Sequence, residues 1–358
     1  MLLVPTTFEG QFLEGLKGYP VRFIYGSLTE EPGGRAKKWL PEVSLEQAGE
    51  HIASARAQGI GFIYTMNAPC TGNREFTAQG QRWLVERLGW LAEVGAEGIA
   101  LANPYIIELV KRRFPELRVH VSTLARVDDV DKALFYQDLG ADVIYLAEYV
   151  NRDFRLLKAL PKLVRCELEV MVNLGCLVHC PMREYHAGFI SHASECLDRS
   201  CYLDYCLAKC MQIKALRPAE VIKATWVRPE DVSKYQQMGI RHFKIAGREQ
   251  GAAWILRAVA AYSAGRYEGA LNDLVRLLDE VEPFGNFPIR VDNTRLNGFI
   301  NFFETKDCRL GCLDCSYCGQ WVEKALSVEG DREHYVNLIE RSLKQYTSGS
   351  FRAPVARP

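Results

Sequence analysis

Six of the twelve cysteines fall in one stretch, as two pairs of identical spacing, Cys176/Cys180 and Cys206/Cys210, with Cys196 and Cys201 between them. Near the C-terminus CRLGCLDC runs into SYC and places Cys308, Cys312, Cys315 and Cys318 within eleven residues. Thiolates are soft donors, and four of them around a metal ion or an iron–sulfur cube satisfy charge and geometry together. In a reducing compartment, ten of twelve cysteines gathered into two segments point to metal rather than disulfides, leaving only Cys70 and Cys166 outside. Two sulfurs at i, i+4 on a helix or turn face one side, so the expected ligand set of the first segment is Cys176, Cys180, Cys206 and Cys210. Cys201 competes for a place. A [4Fe-4S] cluster is the expected occupant, with structural zinc as the alternative.

The second segment begins CxxxCxxC, a spacing that leaves one iron of a cluster open in radical S-adenosylmethionine enzymes. There the motif follows a first strand, whereas here it follows the last, and a fourth cysteine can close the site. It is expected to hold a structural or electron-transfer cluster, or zinc.

These residues need a scaffold, and the chain supplies alternating strand and helix patterns. VRFIYG (21–26), GFIYTMN (61–67), GIALAN (98–103), RVHVST (118–123), DVIYLA (142–147), CELEVMVN (166–173), EVIKATWV (220–227) and RHFKIAG (241–247) read as eight strands. Helical patterns separate most of them; one begins at Ser44 and ends near Gly59. Eight such units over residues 1–265 predict a (β/α)8 barrel, with a cysteine-rich insertion at 174–218 in the sixth βα connection. That places the first cluster at the C-terminal ends of the strands, where barrel active sites lie. Residues 266–358, with a helix through GALNDLVRLLDEVE, a Pro/Gly/Asn-rich loop, the second cysteine run and a charged helix, are expected to form a small appendage.

Side chains alternate along a strand, so Glu167, Glu169, Met171 and Asn173 share one side, as do His120 and Ser122, and His242 and Lys244. Facing inward they make a buried carboxylate–lysine–histidine network; facing outward they are ordinary helix-facing or rim residues. Asn67, Cys70, Asn103, Ser122, Thr123, Glu148 and Arg248 stand at strand ends, and His179, His186 and His192 lie in the long loop. Each alone has an ordinary role as a cap or solvated group.

At 358 residues and 48% hydrophobic, the chain can bury a large core. Forty-four basic and forty-four acidic residues cancel, so no global field draws it to nucleic acid or an anionic membrane. No apolar run reaches membrane-span length and no signal-peptide pattern opens the chain, which predicts a cytoplasmic protein. GxSxG, HExxH and Walker motifs are absent from the sequence, leaving serine-hydrolase, zinc-protease and P-loop chemistry without support.

From Arg118 to Arg248 the sequence resembles the collagenase-like peptidase U32 family. The resemblance rests on the strand ending Ser122-Thr123, on DVIYLAEYVNRD, on ELEVMVNLGC leading into a cysteine, and on GIRHFKIAGRE. It implies a barrel and, as in several members, a cysteine-bound [4Fe-4S] cluster serving oxygen-independent hydroxylation of ubiquinone precursors or RNA bases. Glu169 and Lys244 fall at the family's acidic and Lys-Gly-Arg positions, and Arg248 matches its arginine; with His120 these are the candidate catalytic residues. The family's His-Gly before the first cysteine is replaced by Asn173-Leu174-Gly175. The expected function is an iron–sulfur-dependent hydroxylation of a small aromatic or nucleobase, using an electron donor and pairing with a second U32-type protein. The rival readings are a peptidase and a noncatalytic iron–sulfur partner protein.

Overall fold

The barrel opens one strand earlier than its pattern suggests. LLVP near the N-terminus is β1 (Leu2–Pro5), paired in parallel with β2 (Val21–Gly26) on one side and β8 (His242–Lys244) on the other. The computed structural model describes residues 1–37, 40–195, 205–275, 285–306, 308, 312 and 314–349. In chain order the first half runs β1, α1 (Gly10–Gly15), β2, α2 (Leu45–Ala57), β3 (Gly61–Thr65), α3 (Ala78–Glu93), β4 (Gly98–Leu101), α4 (Pro104–Arg113) and β5 (Arg118–Val121). Then follow α5 (Val130–Asp138), β6 (Val143–Tyr145), α6 (Phe154–Leu163), β7 (Glu167–Met171), α7 (Arg183–Glu195), α8 (Tyr205–Leu216), α9 (Ala219–Lys223), α10 (Val232–Gln237), β8 and α11 (Ala252–Ala264). All eight strands are parallel and close into a barrel, so the fold is a (β/α)8 barrel.

The expected seventh strand, EVIKATWV, is a correction. Its first part is helix α9, begun by Pro218 at the N-cap and framed by Glu220 in the first turn and Lys223 in the last. Proline and charge placement outweigh the β-branched residues there. Eight strands is therefore the right count reached with one strand missed and one added, and the long cysteine-bearing connection follows β7, the seventh strand. The helix expected through residues 269–282 is also corrected: where described, it contains only a 3-10 turn, Leu271–Asp273. Residues 276–284 lie outside the described residues, as do Cys196 and Cys201.

Local signals set the helix starts. Ser44 and Gln47 form a reciprocal capping box on α2, while Thr77, Asn103, Asp129 and Asp153 each cap a following helix through the side chain. Strand periodicity sorts the core. Leu3, Phe23, Tyr25, Ile63, Ala100, Val143 and Tyr145 pack inside the barrel, while Val4, Ile24, Phe62, Ile99, Val119, Ile144 and Val170 pack against the surrounding helices. The same alternation turns His120, Glu169 and Lys244 inward and buries all three.

After α11 the chain forms β9 (Ile289–Val291), α12 (Tyr317–Ala325), β10 (Leu326–Val328) and α13 (Arg332–Tyr346), with β10 antiparallel to β9. Helix α13 packs against α8 and α12 against α9. Phe299, Tyr335, Ile339 and Leu343 join the hydrophobic core of the barrel's outer layer.

Candidate functional site

A cavity of ≈ 190 Å³ opens at the C-terminal ends of the strands. Its floor is made by Tyr25 of β2, Met171 of β7 and Lys244 of β8, with Arg248 just beyond. Cys176, Cys180, Cys206 and Cys210 all line it, and α7 and α8 contribute to its walls. The two ends of the long insertion thus converge as the spacing suggested. Cys206 and Cys210 lie one turn apart on α8, and Cys176 and Cys180 bracket the turn before α7.

That turn is fixed by a buried ion pair. Arg183 donates to the Glu148 carboxylate, and its other terminal nitrogen donates to the carbonyls of Leu177 and Val178 at 2.6 and 2.9 Å. The chain between Cys176 and Cys180 is thereby anchored to the end of β6. Neither partner had a motif to mark its role; Glu148 was legible only as a residue past a strand end. Lower down, the Asn67 amide bridges the Gly34 N–H and the Ser122 hydroxyl, each at 2.9 Å, and so joins three loops of the rim.

All four cysteines are free thiols. Burial pushes the thiols of Cys176 and Cys206 up to about 11 and raises that of Cys180, and neighbouring sulfurs add to each. Cys210 acts on all three of the others, and Cys180 on Cys206, so the four feel one another's charge. Binding a cation among them releases the thiol protons. Among the described residues, no group of three or more His, Cys, Asp or Glu side chains is arranged to hold a single metal ion. Cys176, Cys180, Cys206 and Cys210 are four thiols on one cavity, the donor type and number that a cube takes.

Lys244 is the chemical centre of the floor. Its ammonium sits 3.8 Å from the Tyr25 ring centroid and 4.2 Å from that of Tyr145. Burial lowers its pKa to about 7 against the pull of Glu169, with Arg248 and Arg35 lowering it further. Burial pushes Glu169 up to about 8, opposed by Lys244. Arg248 donates to the Ser27 hydroxyl at 2.7 Å.

Glu169 and His120 do not line the cavity. They lie beneath its floor, where the His120 ring bonds the Tyr145 hydroxyl at 2.6 Å and meets Phe23 edge to face. The inward network expected from the strand alternation is therefore present, and Tyr25 and Tyr145 separate its lower members from the opening.

Of the strand-end candidates, Asn67, Ser122, Thr123, Glu148 and Arg248 line the cavity, whereas Cys70 and Asn103 do not. Asn103 caps α4 and donates to Glu75 at 2.7 Å. Of the loop histidines only His186 reaches the cavity. None of Cys308, Cys312, Cys315 and Cys318 lines it.

The barrel and site define a parallel (β/α)8 protein with a thiol-lined cavity at the C-terminal mouth of its strands, and comparison with known proteins names the family. The profile of peptidase family U32 matches residues 31–272. A protein of Methanocaldococcus jannaschii described as an uncharacterized protease is 33% identical over 311 residues, covering 86% of this chain and 89% of its own. The chain belongs to peptidase family U32. It is also similar to tRNA hydroxylation protein P1 of Bacillus subtilis, 23% identical over 61% of this chain and 52% of its own length. For tRNA hydroxylation protein P of Helicobacter pylori the figures are 27%, 52% and 43%, so this chain spans about half of either protein. A solved U32 peptidase structure shares the fold, with a TM-score of 0.52 at 21% identity over 69% of this chain and 92% of that one. No helix among the described residues is long and apolar enough to cross a membrane.

Proposed function

We propose that this protein is an iron–sulfur-dependent enzyme that hydroxylates a nucleobase of RNA without molecular oxygen. The observation that carries this reading is the shared cavity: Cys176, Cys180, Cys206 and Cys210 open onto the same space as Lys244 and Arg248. When bound by those four cysteines, a [4Fe-4S] cluster supplies one-electron transfer beside the substrate. The chain's own groups do the rest. Lys244 and Arg248 hold positive charge against an anionic or electron-rich group, and the Lys244/Glu169 pair, with pKa values of about 7 and 8, can give or take a proton near neutrality. Tyr25 and Tyr145 exclude water from below. Relatives named as tRNA hydroxylation proteins support RNA as the substrate. Replacing a C–H of the base by C–OH takes two electrons from it, so without molecular oxygen the reaction needs either an organic oxygen-atom donor that is itself reduced, or water as the oxygen source with an electron acceptor served by the cluster. Pairing with a second U32-type barrel accords with the family.

The peptidase reading has less support in this cavity. The Ser122 hydroxyl accepts from the Asn67 amide and from the Leu124 N–H, and among the described residues neither it nor Thr123 is bonded to a histidine or carboxylate. The decisive experiment is anaerobic purification followed by metal analysis and incubation with undermodified tRNA, in one arm with an organic oxygen-atom donor and in the other with an electron acceptor in oxygen-18 water. About four irons at this site, absorption near roughly 400 nm and gain of one oxygen atom on a nucleoside are expected. Colourless protein with stoichiometric zinc, or peptide cleavage without reductant, overturns the reading.

A further inference from the structure

Phe76 stands in the β3–α3 loop with 60% of its surface exposed, on the same end of the barrel as the cavity. Its ring meets that of Tyr105, in the first turn of α4, at 4.8 Å between centroids. A lone exposed phenylalanine is ordinary. This one is held in place. The loop reaches it through two successive left-handed residues, Gly72 at φ 62° and Asn73 at φ 64°. Glu75 beside it is buried, accepting from the Thr71 hydroxyl and from the Asn103 amide at 2.7 Å. The oxygen of the same Asn103 amide accepts from the Tyr105 N–H at 3.0 Å, so one side chain sets the two rings relative to each other. Gln81 of α3 donates to the Tyr105 hydroxyl at 3.1 Å. Both rings are therefore preorganised, and a preorganised exposed aromatic binds without the cost of ordering it.

Arg74 lies two residues before Phe76 with its guanidinium 4.7 Å over the Trp83 ring, and Arg82 is exposed one residue after Gln81. Among the described residues neither arginine is within ion-pair distance of a carboxylate, whereas the exposed Glu108 of α4 is matched by Arg112 at 2.5 Å. Glu195 shares a small cleft with Arg74 but does not pair with it, and burial raises its pKa. Apolar rings alone suit a protein partner; unmatched cations beside them suit a partner with π faces and a polyanionic backbone. The cavity of ≈ 190 Å³ has room for about one base, so the strand on either side of that base has to cross the rim. Asn67 of the same β3–α3 connection lines the cavity, which puts the two rings on a path leading to it.

We propose that Phe76 and Tyr105, flanked by Arg74 and Arg82, are a docking strip for the unpaired nucleotides that neighbour the target base in RNA. A base stacks on Phe76, and the arginines meet phosphates. The inference rests on the reading of the substrate as RNA and adds where the strand outside the cavity lies.

The test measures, by fluorescence anisotropy, binding of the whole chain to a labelled single-stranded RNA of about twelve nucleotides and to an unmodified tRNA transcript. Phe76→Ala should weaken both by at least about fivefold, and Phe76→Trp should keep wild-type affinity. Phe135→Ala removes a comparably exposed ring from α5 and should leave binding unchanged. Arg74→Gln together with Arg82→Gln should reduce the slope of log K against log salt by about one. A Phe76→Ala protein that binds like wild type, or a wild type that binds neither RNA, overturns the strip. A changed sedimentation mass in Phe76→Ala with RNA binding intact assigns the rings to a protein partner and overturns it too. Should Phe76→Ala fail to fold, the salt slope decides, and an unchanged slope overturns the proposal. None of these readouts needs metal or turnover. The expected losses in a protein that adds no oxygen to RNA sink the reaction alone, whereas wild-type binding by Phe76→Ala in an active enzyme sinks the strip alone.

Discussion

Asn173 and Ala246 exchange two hydrogen bonds through one side chain: the Ala246 N–H donates to Asn173 Oδ1 at 2.7 Å, and Asn173 Nδ2 donates to the Ala246 carbonyl at 3.1 Å. A third bond, from the same nitrogen, reaches the Leu274 carbonyl at 3.2 Å. The last backbone partners of β7 and β8 are Met171 and Lys244, so the amide carries their pairing beyond the strand ends, just before the first cysteine of the cavity. Asn173→Ala leaves a buried N–H and two carbonyls short of partners, at about 1–3 kcal/mol for each unsatisfied group. The melting temperature should fall by several degrees and the metal of the cavity should bind more weakly. A variant with wild-type melting and metal content refutes this role.

The Glu148–Arg183 pair should matter as a unit. Removing Arg183 leaves a buried carboxylate with only Arg126 at 3.7 Å and frees the turn between Cys176 and Cys180. Arg183→Ala is expected to cost about 3 kcal/mol in urea unfolding, more than Glu148→Gln. An Arg183→Ala protein with the wild-type urea midpoint would show that the pair does not hold the turn.

Stability should pass through a minimum near pH 7–8. Glu169 has its pKa raised by burial from 4.5 to about 8, so its contribution is fully present below 4.5 and is lost as pH rises through about 8. Lys244 has its pKa lowered by burial from 10.5 to about 7, so its contribution is present above 10.5 and is lost as pH falls through about 7. The double variant Glu169→Gln, Lys244→Met should flatten that curve between pH 5 and 10. Denaturant titrations at several pH values check it, and parallel curves for the two proteins would contradict the assignment.

Lys244→Met alone should leave the four cavity cysteines and their metal undisturbed while lowering turnover by at least about tenfold. His120→Phe is expected to act differently. The ring it loses bonds Tyr145 beneath the floor, so stability drops by about 1 kcal/mol and activity changes only through the position of Tyr145. If His120→Phe abolishes turnover at unchanged stability, His120 belongs to the reacting groups.

Much of this was legible before any coordinates. Alternation groups Glu167, Glu169 and Met171 on one side of a strand and His242 and Lys244 on one side of another, but it leaves open which side faces inward; closure of the barrel is what buries Glu169 and Lys244 with Tyr25 and Tyr145. The spacing of Cys206 and Cys210 follows from helical geometry, whereas Cys176 and Cys180 lie in the turn before α7. The errors have physical causes. Leu2–Pro5 is four residues long and gains its strand conformation from pairing with both β2 and β8, information that lies far away in sequence. At Val221 and Ile222, β-branched residues mimic a strand, yet Pro218 starts a helix and the barrel already has its eight members. Arg183 left no trace in the pattern, because an arginine at the start of a helix is normally solvated and only tertiary packing reveals its pairing with Glu148.

The other mouth of the barrel is tied together by charge. Glu167 is gripped by Arg22 at 2.5 Å, Arg118 at 2.9 Å and His242 at 2.9 Å across the N-terminal ends of the strands. Four strands that are far apart in sequence are thereby clasped at one carboxylate, so the end of the tube away from the cavity acts as its buckle, and loosening it should be felt along β2, β5, β7 and β8 together.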